Sequence, residues 1–241
     1  MATVVVAARP QTIRQTRPFL PRLLGAAFLV VIVTSLAGGL LLDSALGSGD
    51  RSDLLPHLST GITMARAGAV VDLVTSGAII ALAALLYAVL HRHGRVVALV
   101  ALGWWLAEAL LMALSRLGAL ALTQLSQSFV DAGSPAQSAY QVVGESLYKG
   151  LYSQAYTVHM FFYCIGGLLW YALFYRANVV PRVISLWGIL AAAVGLGGIV
   201  AELFGASVPT PVFLPLLGFE LAIGLWLMTQ GIREEPEQTM V

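Results

Sequence analysis

Long apolar runs alternating with polar segments dominate the chain: roughly residues 23–42, 64–90, 96–124, 148–174, 183–204 and 212–231. Each comes near or exceeds the ~20 residues that carry a helix across about 30 Å of hydrocarbon. The second, third and fourth runs are longer, an excess that tilt, or ends standing clear of the lipid, would absorb. The connectors are GSGDRSDLLPHLST, HRHGR, SQSFVDAGSPAQSAYQVVGES, RANVVPR and GASVPTP. Gly, Pro, Ser and Asn punctuate all but the basic HRHGR, as expected of turns. Glycine also recurs inside the runs, in AGGLL, CIGGLLW and VGLGGIV, where small residues let helix backbones approach closely. The pattern predicts an all-α, polytopic membrane protein. Its six-helix bundle would fill residues 22–232, between a basic tail at 1–21 and a short tail at 233–241. No repeat of fixed period and no three-plus-three inverted symmetry is evident.

Composition agrees. Of 241 residues, 59% are hydrophobic and 10% charged, and mean hydropathy is +0.85. A soluble fold built from these residues would lack polar surface. Arg14, Arg17 and Arg22 precede the first run as they would in a signal peptide. That run is longer than the roughly 7–15 residues of a signal core, however, and no clear A-x-A site follows, so the reading is a retained first span. The formal net charge is +1, and most charges sit between the runs. Charge therefore reports topology and gives no sign of nucleic-acid binding. If six spans alternate, Arg9, Arg14, Arg17, Arg22, Arg92, Arg95, Arg176, Arg182 and Arg233 share one side. Arg51 and Lys149 fall on the other with Asp43, Asp50, Asp53, Asp131 and Glu145. The positive-inside rule then predicts cytoplasmic termini and a multi-pass protein of the plasma (inner) membrane, with membrane lipid as its constant partner. The lone Cys164 excludes an internal disulfide and Cys-based metal motifs, and reads as a small buried residue.

Topology leaves several ionisable residues unexplained: Arg66 and Asp72 in the second run, Glu108 and Arg116 in the third, His159 in the fourth, Glu202 in the fifth and Glu220 in the sixth. A charge at the centre of a spanning helix costs about 2.5–3.5 kcal/mol on insertion scales, so each needs an aqueous end, a partner or a cavity. At 1.5 Å per residue, Asp72 lies about 9 Å deeper than Arg66. Glu108 and His159 come out near mid-membrane, Arg116 and Glu220 in the outer half and Glu202 at the outer rim. All fall between the midplane and the outer surface, which points to one shared polar region lined by the second, third, fourth and sixth helices. Asp72, Thr75 and Ser76 share a helix face, as do Trp104, Trp105, Glu108 and Met112, with Arg116 about 80° further round. Tyr152, Tyr156, His159 and Tyr163 form an aromatic stripe.

Structural readings compete with functional ones. Arg66 and Glu202 sit where a side chain can snorkel to the interface. Asp72 with Arg66 or Arg116, and Glu108 with Arg116, can be ion pairs that fix helix register. His159 and the tyrosines can be core packing. Motifs for nucleophilic catalysis, zinc hydrolysis and phosphate binding are absent, and no cofactor is assigned. Haem and a metal held by His159, Glu108 and Asp72 have little support from histidine placement or ligand spacing.

RAGAVVDL in the second helix, LAEALLMALSRLGAL in the third, TVHMFFYCIGGLLWYALFYR in the fourth and VVPRVISLWGILAAAVGLGG leading into the fifth resemble the bacterial integral membrane proteins grouped as domain of unknown function 4386. The resemblance covers roughly residues 20 to 230. It implies a multi-helix bacterial membrane protein, points to Arg66, Asp72, Glu108 and His159 as the positions most like the family's pattern, and supplies no activity. The leading expectation is a protein that binds or carries a small molecule or ion. Asp72 and Glu108 would take a cation or proton, Arg66 and Arg116 would set their charge, and His159 would relay protons, with Glu220 a further candidate at the site. The alternatives are an intramembrane enzyme acting on a lipid or amphiphile through Glu108 and His159, and a structural or regulatory membrane subunit.

Overall fold

The computed structural model describes residues 19–47, 54–135 and 139–232. The expected C-terminal tail and most of the N-terminal tail lie outside the described residues, as do Asp50, Arg51 and Asp53 of the first connector. Among the described residues there are helices and no strands. They are α1 (Phe19–Leu46), α2 (Leu54–Thr60), α3 (Ile62–Leu90), α4 (Arg95–Asp131), α5 (Ala139–Leu147), α6 (Ala155–Ala177), α7 (Arg182–Leu203) and α8 (Leu214–Thr229). Six helical segments among them are long and apolar enough to cross a membrane, so this is a multi-pass membrane protein. Their outer faces carry exposed residues such as Val33, Val74, Leu110, Leu114, Leu190 and Val194. Such faces suit lipid, in which a helix satisfies its backbone internally and needs only an apolar exterior.

Two connectors are more ordered than their punctuation suggested. α4 continues to Asp131, about 55 Å at 1.5 Å per residue, because Leu122, Ser126 and Phe129 keep helical spacing and are buried. Polar side chains on the other face do not stop a helix. The chain turns only at Gly133, whose φ of +82° is left-handed. Beyond it, α5, a π-helical stretch (Tyr148–Gln154) and α6 run on without a break. In the first connector LLPHLST forms α2, with Leu54, Leu55 and Leu58 buried and Pro56 in the first turn, where no amide donor is required. The Ser126 hydroxyl donates to the Leu55 carbonyl (2.6 Å), and the Phe129 and Tyr140 rings meet edge to face at 6.2 Å. The ends of α4, α2 and α5 thus form a small helical cap at the end of the bundle away from HRHGR.

The six spanning helices pack in a closed circuit, each against its neighbour in sequence and α8 back against α1. Glycines set the seams. A Cβ on Gly25 would lie 2.6 Å from the Gly224 carbonyl oxygen and 2.8 Å from Met228, so α1 and α8 touch backbone to backbone. At the HRHGR end the circuit is filled solid by Leu82, Leu86, Leu90, Trp170, Phe174 and Leu227, all fully buried, among others. Towards the cap it opens into a cavity.

Gly25→Val should therefore lower thermal stability in detergent by about 1–3 kcal/mol, the usual range for overpacking a tight contact. Gly77→Val, at an exposed position with nothing within 4 Å of its Cβ, should leave the melting temperature unchanged; equal losses in both would refute the glycine seam.

Candidate functional site

The cavity has a volume of about 930 Å³ and is lined by α1, α3, α4, α6, α8, the end of α7 and the loop that follows it. Its floor is the apolar plug, approached at Leu82 and Trp105. Each wall presents a polar group because each helix points one spaced stripe inward. On α4 that stripe is Trp105, Glu108, Met112 and Arg116, all buried. Trp104, one position round, turns instead to the rings of Phe161 and Phe162, at centroid distances of 6.3 and 5.0 Å.

Asp72 Oδ2 and Arg116 Nη1 lie 3.1 Å apart, both side chains almost wholly buried. The pair bridges α3 and α4. α1 covers it: a Cβ on Gly38 would overlap the Asp72 carboxylate, so only glycine fits there. The Thr75 and Ser76 hydroxyls, which share the Asp72 face, donate to the carbonyls of Val71 and Asp72, both at 3.0 Å. The polar stripe of α3 is thus largely satisfied by its own helix and by Arg116.

Across the cavity the Tyr163 hydroxyl donates to Glu220 Oε1 at 2.7 Å, joining α6 to α8, and the Trp105 indole N–H donates to the Tyr163 carbonyl at 3.1 Å. The Thr157 hydroxyl reaches Glu202 Oε2 at 3.3 Å. Two cavity residues stand apart. Glu108 is 4% exposed and His159 5%, yet Glu108 Oε2 and both ring nitrogens of His159 have no hydrogen-bond partner among the described residues. The His159 ring leans on Tyr156, centroids 4.9 Å apart. Glu220 lies within electrostatic reach of Glu108. Among the described residues, no group of three His, Cys, Asp or Glu side chains is arranged to hold a metal ion, so Asp72, Glu108 and His159 do not converge as ligands.

A family model described as a domain of unknown function (DUF4386) matches residues 23–231, from the first spanning helix through the last. The chain belongs to the DUF4386 family. Comparison with curated proteins finds no match, and comparison with solved structures finds none.

Of the residues singled out in this DUF4386 chain, Asp72, Glu108, Arg116, His159 and Glu220 come together around one cavity. Arg66 does not: it lies on the exposed face of α3, outside the lining. Glu202, read as interfacial, is half-buried and lines the cavity, as does Asp43 at the end of α1, counted before only as a loop charge. The spacing held a clue to Asp43, since Ser35, Gly39 and Asp43 recur at i, i+4 and i+8 in an otherwise apolar helix.

Arg116→Met should destabilise the DUF4386 bundle by about 3–5 kcal/mol, because it leaves the buried Asp72 carboxylate without its cation. The double variant Asp72→Leu/Arg116→Met should recover most of that loss in a melting experiment; additive losses would show that the two residues are not coupled.

Proposed function

We propose that this membrane protein binds or carries a small molecule or ion in the cavity, with Glu108 and His159 as its principal contacts. The observation that carries the reading is a pair of ionisable side chains, nearly inaccessible yet without hydrogen-bond partners among the described residues, facing about 930 Å³ of space. Groups buried in that way cost free energy unless something else satisfies them, and ionisable residues inside spanning helices mark ligand or proton pathways. The volume is near the upper end of the roughly 300–1,000 Å³ of small-molecule sites.

Asp72, Arg116 and Glu220 then hold the walls in place and Glu108 and His159 meet the ligand. Such a division unites the structural and functional expectations. Arg92, Arg95, Arg176 and Arg182 cluster at the plugged end, and the positive-inside rule assigns that end to the cytoplasm. In a plasma (inner) membrane the cavity would face outward, with its floor closed. This is the arrangement of a receptor, or of a carrier in its outward state.

The reading is tested by melting the detergent-purified protein against a panel of inorganic ions and small metabolites. A ligand at 100 times its Kd should add about 2.7 kcal/mol of stability. That gain should disappear in Glu108→Gln and His159→Ala. A panel without effect, or effects equal in all three proteins, would overturn it.

A further inference from the structure

Where α1 and α8 border the cavity, its edge is apolar. On α1, Leu29, Val33, Leu36 and Leu40 follow at i, i+4, i+7 and i+11 and so form one stripe. The stripe begins under α8, where a Cβ on Gly224 would lie 3.0 Å from Leu29. Towards the cap it loses that cover: Leu36 is 50% exposed and Leu40 67%, and both line the cavity. On α8, Gly224 and Met228 touch α1 near the plug, whereas Leu214, at the opposite end of the helix and also in the lining, is 55% exposed. Exposed leucines of two spanning helices thus belong to the cavity lining on this side.

Behind those leucines the lining is acidic and aromatic. Among the described residues, Asp43, Asp72, Glu108, Glu202 and Glu220 share the lining with one guanidinium, that of Arg116, which is paired with Asp72. Clefts with low-dielectric walls and one sign of charge concentrate ions of the opposite sign. Trp105, Tyr156, Tyr163 and Phe213 add aromatic surface to the same lining, and ring faces attract cations most strongly where water is excluded. An anion entering here would meet several carboxylates and one arginine already in an ion pair. A small inorganic cation would leave most of the space and all of the leucine edge unused.

From this combination we infer that the cavity accepts a lipophilic organic cation, which arrives from the membrane between α1 and α8 and places its charge beside Glu108. The inference rests on the cavity being a ligand site and adds the chemical class and the route. Apolar groups of the ligand would follow the leucines inward. Its positive charge would satisfy the free oxygen of Glu108, and its aryl or alkyl groups would lie against Trp105 and the tyrosines.

The probes are tetraphenylphosphonium and tetraphenylborate, matched in size and opposite in charge, measured by equilibrium and stopped-flow binding to full-length protein in nanodiscs, with protein-free nanodiscs subtracted. The phosphonium should bind saturably, the borate should not, and Glu108→Gln should weaken the phosphonium at least tenfold. Leu36→Trp and Leu40→Trp change exposed positions that a folded bundle tolerates. Each should slow phosphonium association and dissociation together by fivefold or more, as expected for an obstructed entry. Equal saturable binding of both probes, or phosphonium binding indifferent to Glu108→Gln, overturns the cationic class and leaves the cavity as a site. Rates unaffected by either tryptophan overturn the lateral route. Absence of saturable phosphonium binding overturns the inference. It reaches the cavity reading only if the ion and metabolite panel also leaves the wild-type protein's melting temperature unmoved.

Discussion

A carboxylate placed among hydrocarbon must find a cation, a hydrogen bond or water, and the organisation of this bundle follows from that requirement. Asp72 meets it with Arg116, and the closeness of the ion pair obliges α3 and α4 to hold one register. Gly38 lets α1 press on the same carboxylate, so three helices are fixed by one pair of side chains. Glu220 meets the requirement with the Tyr163 hydroxyl, which ties α6 to α8. Glu108 has neither kind of partner for its Oε2 among the described residues, and it lies where the helices have moved apart to leave a cavity.

The helices divide their length between two tasks. Near HRHGR their inward residues are leucine, alanine, tryptophan and phenylalanine, which fill the circuit. Nearer the cap the inward residues are charged, hydroxylic or aromatic, and they line space. Rigid packing at one end holds polar groups in position at the other. The glycine contact between Gly25 and Gly224 lies in the packed half and closes the α1–α8 seam beside the floor.

Much of this was legible in the sequence. Apolar run length located all six spans, because the thickness of the lipid sets a length that no other constraint imitates. The depths of Asp72, Glu108, Arg116, His159 and Glu220, obtained from residue spacing alone, brought together the residues that line the cavity. Less legible was the division of labour among them. Asp72 looked as available as Glu108, and only the position of Arg116 across a helix seam makes one paired and the other open. The helical connectors were obscured because Ser, Gln and Asp on an exposed face resemble loop residues while the buried face of α4 continues its period. Glu202 looked interfacial, and Asp43 a connector charge, because depth alone does not tell which way a side chain points.

The circuit closes through its first and last members, which bears on how the protein is made. Spanning helices leave the ribosome one at a time, and α1 receives α3 as a neighbour long before α8 exists. Until the sixth span is inserted, the Gly25 face has no backbone to meet, the Tyr163 hydroxyl has no Glu220, and the polar interior lies open to the bilayer along its whole length. The last span to be synthesised is thus the one that turns a row of helices into a vessel with a floor, and the membrane-insertion machinery must shelter an incomplete, partly charged sheet of helices until then.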